Sequence, residues 1–372
     1  MTTTAEGTGG PLSRLPAFPW DLLAADDAVA RAHADGIVDL SVGTPVDGTP
    51  DVIQQALASA ANSPGYPTTQ GTDPLRQSAT RWMSRRTAAV AVDPLDVLPV
   101  IGTKELVAWL PTMLGLGARD RVIVPSLAYP TYDVGARMCG AQTVVSDALT
   151  SVGPAPVSLV WLNSPSNPTG RVLPVEHMRK VVDWARERGA LVVSDECYIE
   201  LGWTQQPVSV LDPRVCGGST EGVLAVHSLS KRSNLAGYRF GFVAGDSGVV
   251  RSLLALRKHM GMIVPGPVQA AATVALDDDH HVAAQRERYA RRREVLHMAL
   301  TSAGFSIEHS EAGLYLWATR GQSDWATVRW LAERGILVAP GSFYGAAGSH
   351  HVRVALTATD ERVDAAASRL AD

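Results

Sequence analysis

The stretch that decides the fold is Ser228-Leu229-Ser230-Lys231, in which a lysine follows a turn rich in hydroxyl groups. The apolar run 222–227 before it predicts a buried strand, and a second apolar run covers residues 238–244. Arg239 follows Lys231 by eight positions, so we expect a guanidinium near the lysine at the mouth of a sheet. Such a site can hold a phosphate while the amine carries out covalent chemistry with an aldehyde. A surface lysine in a serine-rich loop is the alternative, and these residues alone do not decide between the two.

The composition is typical of a soluble globular enzyme, with 46% hydrophobic and 19% charged residues in a chain of 372. A net charge of −4 offers no basic face for nucleic acid. The three cysteines, Cys139, Cys197 and Cys216, have no paired spacing, which predicts reduced thiols and neither a disulfide framework nor a metal site. The N-terminus has no signal-peptide pattern and the apolar runs are too short to span a membrane. We therefore expect a cytoplasmic protein without a membrane or nucleic-acid partner.

Apolar strands alternate with helices through the middle of the chain, which predicts a mainly parallel α/β sheet covered by helices on both faces. The predicted strands cover residues 98–101, 121–125, 142–145, 157–162 and 190–195. Beyond about residue 250 helical segments dominate, followed by strands near residues 312–317 and 351–356. We expect a large domain over residues 37–255 and a smaller α+β domain built from residues 1–36 and 256–372.

Polar residues stand at several predicted strand ends, where ligands gather in sheets of this kind. Gly102-Thr103-Lys104 lies at a strand-to-helix junction and offers backbone N–H groups to an anion. Asp195 ends an apolar strand, where a carboxylate is costly unless it meets a cation such as a protonated pyridine nitrogen. Asn167 and Tyr198 suit hydrogen bonds to a phenolic oxygen, and Tyr129 could stack on a ring. A helix start, a cap and a simple turn are the alternative interpretations of these segments.

The order of these motifs resembles the class I/II aminotransferases that use pyridoxal phosphate, and the resemblance covers nearly the whole chain. It implies the fold type I architecture, with a mainly parallel seven-stranded sheet and a smaller α+β domain. Phe240 departs from the family, which usually has an aliphatic residue there, but Arg239 beside it is retained. The matched motifs are Ser41-Val42-Gly43-Thr44-Pro45, Tyr66, Gly102-Thr103-Lys104-Glu105, Tyr129-Pro130, Asn167-Pro168-Thr169-Gly170, Ser194-Asp195-Glu196-Cys197-Tyr198, Ser228-Leu229-Ser230-Lys231, Arg239 and Arg353.

The resemblance implies a role for each matched residue. Lys231 would form the Schiff base with the cofactor and then move the proton between the substrate Cα and the cofactor, because a partly desolvated amine among cations has a lowered pKa. Asp195 would keep the pyridinium protonated, Asn167 and Tyr198 would bind the ring oxygen, and Tyr129 would stack on the ring. The phosphate would be held by Gly102, Thr103, Lys104, Ser228, Ser230 and Arg239, together with Tyr66 from a second subunit, which implies a homodimer with shared active sites. Arg353 would clamp the substrate α-carboxylate, with Gly43 and Asn167 in the same pocket.

Three further segments are similar to actinobacterial N-succinyldiaminopimelate aminotransferases: the arm 15–21, residues 257–269 and residues 312–317. This similarity implies transfer of an amino group from glutamate to N-succinyl-2-amino-6-oxopimelate, with 2-oxoglutarate as the other product. We expect the succinylated tail to contact either the arm or the 257–269 segment.

Other functions are consistent with parts of the sequence. An aspartate or aromatic aminotransferase, or a carbon–sulfur β-lyase, would share the same cofactor residues. An effector-binding regulator would need a DNA-binding domain, for which residues 1–14 are too short. A nicotinamide-dependent dehydrogenase is disfavoured, because no predicted strand is followed by a GxGxxG motif. The acidic and histidine run 277–281 is interpreted as a solvated loop, and the arginines over residues 286–293 as a solvated helix face.

Overall fold

Seven strands form the central sheet of the computed structural model, which describes residues 15–371. They are β2 (Val97–Val100), β3 (Arg121–Val124), β4 (Gln142–Val145), β5 (Leu159–Asn163), β6 (Leu191–Asp195), β7 (Val223–Ser228) and β8 (Gly241–Gly245). Their order across the sheet is β2-β8-β7-β6-β5-β3-β4. Only β8 runs antiparallel to its neighbours β2 and β7, so the prediction of a mainly parallel sheet is confirmed.

Helices cover both faces of this sheet, which explains why its strands are uniformly apolar. One face packs against Trp82, Met178 and Ala271, and the opposite face packs against Leu110 and Leu253. The helices of this part of the chain are α2 (Asp51–Ser59), α3 (Asp73–Thr87), α4 (Thr103–Met113), α5 (Thr131–Cys139), α6 (Val175–Arg186), α7 (Pro213–Cys216), α8 (Leu229–Arg232), α9 (Ser247–Met260) and α10 (Gly266–Asp277).

A smaller antiparallel sheet forms the second unit, which has the predicted α+β character. Its strands are β9 (Ser306–Glu308), β10 (Tyr315–Thr319), β12 (Ala339–Pro340) and β13 (Val352–Ala355), in the order β12-β13-β10-β9. A separate short pair joins β1 (Val38–Asp39) in parallel to β11 (Ile336–Leu337). The helices of this unit are α1 (Ala24–Arg31), α11 (His280–Ser302), α12 (Asp324–Ala332) and α13 (Asp360–Ala371).

The packing suggests domain boundaries that differ from the predicted ones at residues 37 and 255. Val38 and Leu40 lie in the hydrophobic core of the smaller unit, although they were expected in the large domain. Helix α10 packs against α2 and α3 in the large core, although it was expected in the small domain. We therefore propose boundaries near residues 41 and 279. The predicted small domain also includes residues 1–14 and 372, which lie outside the described residues.

The prediction that the arginines over residues 286–293 form a solvated face is wrong for Arg292. Its side chain is buried between Asp47 and Asp360, each with an oxygen 2.6 Å from a guanidinium nitrogen. Arg286 lies over the ring of Trp203, 5.3 Å from its centre. A count of charges could not show this, because the two carboxylates come from distant parts of the chain.

The acidic run 277–281 links secondary-structure elements, rather than only forming the solvated loop that was predicted. Asp277 and Asp279 pair with Arg81 and Arg85 of α3, each at 3.0 Å. Within residues 15–371 no cluster of three or more His, Cys, Asp or Glu side chains is arranged to hold a metal ion. In the same range, every helix is too short or too polar to cross a membrane.

Candidate active site

Lys231 lies on the short helix α8, directly after the carboxyl end of β7. Ser228 caps this helix through its Oγ, which accepts a hydrogen bond from the backbone N–H of Ser230 at 3.1 Å. The Lys231 ammonium donates to the backbone carbonyl of Gly43, which comes from the loop after β1. Burial of the amine is the main cause that lowers its pKa, and the guanidinium groups of Arg353 and Arg239 act in the same direction. The Lys231 amine is therefore buried among cations, an environment that favours its neutral form.

Asp195 ends β6 and points into the same region with no basic partner among the described residues. Tyr132 donates its phenolic hydroxyl to one carboxylate oxygen at 2.9 Å, and the backbone N–H of Cys197 donates to the other at 3.2 Å. Burial nevertheless raises the pKa of Asp195. A buried carboxylate in this state is well suited to a cationic ligand group.

Tyr132 and Asn163 contact the predicted site residues, and the sequence interpretation missed both. Tyr132 is fully buried and stacks on Trp161, with ring centres 4.7 Å apart. Asn163 donates to the backbone carbonyl of Asp195 at 2.8 Å and accepts from the backbone N–H of Asn167 at 2.7 Å. Asn163 thus joins the two strand ends that carry Asp195 and Asn167. The only sequence signal was a polar residue at the last position of an apolar strand.

Arg353 lies on β13 of the smaller sheet and reaches the cavity through a rigid set of contacts. Its Nη1 donates to Asn167 Oδ1 at 2.9 Å, and its Nη2 donates to the carbonyl of Ser41 at 2.6 Å. The guanidinium also lies between two rings, 4.0 Å from the centre of Tyr315 and 4.9 Å from that of Tyr344. Its Nε has no partner among the described residues. An oriented, buried guanidinium with a free donor can bind a carboxylate.

Tyr315 is a third residue that the sequence interpretation did not place in the site. Its hydroxyl lies 3.0 Å from the hydroxyl of Tyr198. A Cβ on Gly43 would lie 2.1 Å from the same hydroxyl of Tyr315, so only glycine fits there. The contact explains why glycine stands at position 43. It could not be predicted from the sequence, which does not show that the ring of Tyr315 faces this loop.

The segment around Gly102 forms a cradle for an anion at the start of α4. Gly102 has a φ of +75°, a conformation that L side chains rarely adopt, so the backbone favours glycine at this position. Thr103 begins the eleven-residue helix α4, whose first backbone N–H groups have no partner within the helix. Arg239 has no carboxylate partner in the described part of the chain. These groups together suit a phosphate.

Nearly all of the predicted site residues line one cavity of about 910 Å³. Tyr129 lies in its wall, where burial raises the pKa of the phenol to about 12. Gly102 lies next to Arg239 and Tyr66 is fully exposed, and neither of these two residues lines the cavity. The predicted residues that line it are Gly43, Thr103, Lys104, Tyr129, Asn167, Asp195, Tyr198, Ser228, Ser230, Lys231, Arg239 and Arg353.

The N-terminal arm and the start of α4 form the outer rim of this cavity, a name that we use for Phe18, Pro19, Trp20 and Lys104. The ring of Trp20 packs on Phe343 with centres 5.7 Å apart. The ammonium of Lys104 lies 5.6 Å above the ring of Phe18 and has no carboxylate partner among the described residues. No residue of the 257–269 segment lines the cavity.

These features are compatible with pyridoxal phosphate. The uncompensated carboxylate of Asp195 suits a pyridinium nitrogen, and the cradle at Gly102, Thr103 and Arg239 suits a phosphate. The Lys231 amine lies in the same cavity. When bound, the cofactor supplies a ring that withdraws electrons from the substrate Cα.

Comparison with known proteins identifies the family. The family model "Aminotransferase class I and II" matches residues 35–370. The chain is 63% identical to the "Probable aminotransferase Rv1178" of Mycobacterium tuberculosis over 98% of this chain and 88% of that protein. It is 59% identical to the "4-dedimethylamino-4-oxo-anhydrotetracycline transaminase OxyQ" of Streptomyces rimosus over 96% of this chain and 100% of that protein. A solved structure of a probable N-succinyldiaminopimelate aminotransferase from Thermus thermophilus is 28% identical and superimposes with a TM-score of 0.86, covering 95% of this chain and 99% of that one. The chain belongs to the class I and II aminotransferases.

Proposed function

We propose that this aminotransferase uses pyridoxal phosphate, bound in the 910 Å³ cavity, to move an amino group between an amino acid and a 2-oxo acid. The observation that carries the proposal is the meeting of three groups in that cavity: the desolvated Lys231 amine, the unpaired Asp195 carboxylate and the oriented Arg353 guanidinium. They come from three separate elements, which are helix α8, the end of β6 and strand β13. Each supplies one requirement of the reaction, and no other described cavity combines them.

The chain's own groups would divide the work as follows. Lys231 would bond the cofactor aldehyde and, once released, carry a proton to and from the substrate Cα. Asp195, held by Tyr132, would keep the cofactor ring cationic. Arg353 would bind the substrate α-carboxylate in an orientation fixed by Asn167 and Ser41. Burial of these groups excludes water and strengthens each electrostatic contact.

For the substrate, we propose N-succinyl-2-amino-6-oxopimelate as acceptor and glutamate as donor. The name of the Thermus thermophilus relative supports this choice. The acceptor has distal carboxylates, and Lys104 at the outer rim is a cation without a carboxylate partner in the described chain. Of the two segments expected near the tail, the 257–269 segment is disfavoured, since its Arg257 is buried in an ion pair with Glu105 at 2.8 Å. The arm therefore remains as the proposed contact.

A second candidate substrate is a bulky polycyclic ketone. The support is the 59% identity to OxyQ over the whole of that protein, whose name specifies an oxo-anhydrotetracycline. The aromatic residues Phe18 and Trp20 at the cavity mouth offer flat apolar surface to such a ring system. This candidate does not need Lys104.

An acceptor panel with glutamate as donor tests these proposals. We expect the succinylated oxopimelate to react faster than its unsuccinylated form, and equal rates would contradict the assignment. Reaction of an anthracycline-like or tetracycline-like ketone alone would favour the second candidate. Release of pyruvate and ammonia from cystathionine would indicate a carbon–sulfur β-lyase.

We also propose a homodimer in which Tyr66 of each subunit contacts the cofactor phosphate of the other. Its support is that Tyr66 is fully exposed and lies outside this chain's own cavity. Mixing Lys231→Ala and Tyr66→Ala subunits tests the proposal, because half of the sites in a hybrid dimer would then carry neither change. Activity above that of either parent variant is the expected result. A mixture no more active than its parents, despite hybrid dimers being present, would contradict sharing of the sites.

A further inference from the structure

A second cavity, of about 460 Å³, lies on the other side of the strand end that carries Asn163. It is formed where the carboxyl ends of β3 and β5 meet helix α6 and the loop after β4. Asn163 is the single residue that it shares with the active-site cavity. The two cavities are therefore separate sites with a common wall.

The inner part of this second cavity is apolar. Ile123, Val160 and Leu162 come from the central sheet, and Val181 comes from α6, and all four are buried. Val152 closes the wall from the loop that follows β4. A cavity of this size with apolar walls can enclose the side chain of a small organic ligand.

Charged and polar groups stand among its lining residues. Arg171 and His177 have no hydrogen-bond or ion-pair partner for their side chains among the described residues. The pKa of the His177 imidazole is lowered mainly by burial and next by the Arg171 guanidinium, while the Asp147 carboxylate acts in the opposite direction. Asp147 supplies a carboxylate whose two oxygens accept from Ser126, one from its backbone N–H at 2.9 Å and the other from its hydroxyl. In the described part of the chain no basic side chain pairs with Asp147.

We propose that the second cavity binds an α-amino acid with an apolar side chain. The carboxylate of the ligand would bind Arg171 and His177, its ammonium would bind Asp147, and its side chain would fill the apolar interior. A simple anion would leave Asp147 unmatched, and a simple cation would leave Arg171 unmatched. A zwitterion with an apolar side chain matches the positive charge of Arg171, the negative charge of Asp147 and the apolar walls.

The ligand would lie against the loop that carries Asn167 to the active site. Asn163, in the shared wall, accepts a hydrogen bond from the backbone N–H of Asn167. Ser166 and Thr169 of the same loop also line the second cavity. Occupation of this cavity therefore contacts the back of a substrate-binding segment without entering the active site.

Equilibrium dialysis of the holoenzyme with α-methyl-L-phenylalanine tests the proposal, because this probe has no hydrogen on Cα and is not turned over. The experiment uses an Arg353→Lys background, which weakens carboxylate binding in the active site. We expect the background variant to bind about one probe per chain. Adding Arg171→Ala or Asp147→Asn should weaken that binding at least tenfold. Arg179→Ala, an exposed arginine of α6 outside the cavity, is the matched control and should change nothing.

Two analogues test recognition of both charges. 3-Phenylpropionate lacks the ammonium and phenethylamine lacks the carboxylate, so each should bind at least tenfold more weakly than the probe. Leu149→Trp, which fills the cavity from its wall, should block binding, and its melting temperature checks that the variant is folded. The proposal is overturned if the background variant binds no probe, or if Arg171→Ala and Leu149→Trp bind it as the background does.

Discussion

The inner wall and the outer rim of the active-site cavity are built in different ways. The inner wall consists of Asp195, Asn167, Tyr198 and Arg353, all less than 10% exposed and each held by at least one hydrogen bond. The outer rim has a half-exposed phenylalanine, Phe18, and an exposed ammonium at Lys104. A rigid, buried half suits chemistry that is the same for every substrate, whereas an open half suits selection among substrates. This contrast predicts large effects for changes at the inner wall and small, substrate-dependent effects at the outer rim.

The largest effect is expected at Lys231, which faces the inner wall. Lys231→Ala should lower turnover by at least about 10³-fold, since the general acid–base group and the covalent attachment are lost together. Stopped-flow kinetics and the visible absorbance of the bound cofactor measure the two losses separately. Lys258→Ala, on the exposed side of α9, is the control for removal of one positive charge. Sustained multiple turnover by Lys231→Ala would refute the proposed mechanism.

The next largest effect is expected at Arg353. Arg353→Lys retains the charge but loses the planar fork that Asn167 and Ser41 orient. We expect kcat/KM to fall about 100-fold for every carboxylate substrate, which corresponds to roughly 3 kcal/mol. Steady-state kinetics with glutamate and with pyruvate check that the loss is the same for both. If kcat/KM fell for only one of the two substrates, Arg353 would act in substrate selection and not in binding the carboxylate that all substrates share.

The same contrast explains how far the sequence could predict the site. Asp195, Asn167 and Lys231 follow apolar strands in a recognisable order, so their positions could be predicted. Tyr132 and Tyr315 were missed, because their place in the site depends on contacts with residues 63 and 117 positions away in the sequence, Asp195 and Tyr198. A tyrosine in a helix or strand has no local pattern that distinguishes it from a core residue.

The fold was predictable for a similar reason, because local patterns specify its main elements. The features of the fold that were not predicted depend on contacts between distant segments. Apolar runs separated by helices specify a mainly parallel sheet, and the seven-stranded sheet confirms that prediction. Burial of Arg292 and the placement of β1 in the smaller unit depend on pairing between distant segments. We propose that substrate preference depends on the outer rim, where exposed residues carry little periodic signal.

A third prediction concerns a buried acid beside the inner wall. Glu196 follows Asp195, and burial raises its pKa from its ordinary value of 4.5 to about 7. The folded protein then holds this proton more tightly than the unfolded chain, so the free energy of unfolding decreases as the pH rises from about 4.5 to about 7. Glu196→Gln cannot ionise and retains an oxygen for the backbone N–H of Val210. The variant should gain up to about 3 kcal/mol relative to the wild type at pH 8, and much less at pH 4.5.

Thermal unfolding of both proteins at several pH values measures this difference. Glu187→Gln, an exposed glutamate on the surface, is the matched control and should follow the wild-type curve. Parallel curves for Glu196→Gln and the wild type would show that burial at position 196 does not perturb the acid. The inner wall would then be less desolvated than its geometry indicates.

The smallest effect is expected at the outer rim. Lys104→Met removes the ammonium that lies over Phe18 while keeping a side chain of similar length. Because the group is exposed, its pairing with a distal carboxylate is worth at most about 1 kcal/mol. We expect KM for the succinylated acceptor to rise two- to fivefold, in the range that this energy allows. Pyruvate, which has no distal carboxylate, should be unaffected.

Lys258→Met is the matched control, because it removes one exposed positive charge outside the cavity. If Lys104 makes a local contact with the substrate, only Lys104→Met should raise KM. If KM depends on the overall electrostatic field of the protein, both variants should change it. An equal change in KM for pyruvate and for the succinylated acceptor would place Lys104 with the cofactor phosphate, as the sequence first predicted. A change in KM for the succinylated acceptor alone would place Lys104 in substrate selection. If the true acceptor is a polycyclic ketone, the KM values for pyruvate and for the succinylated acceptor should both stay unchanged.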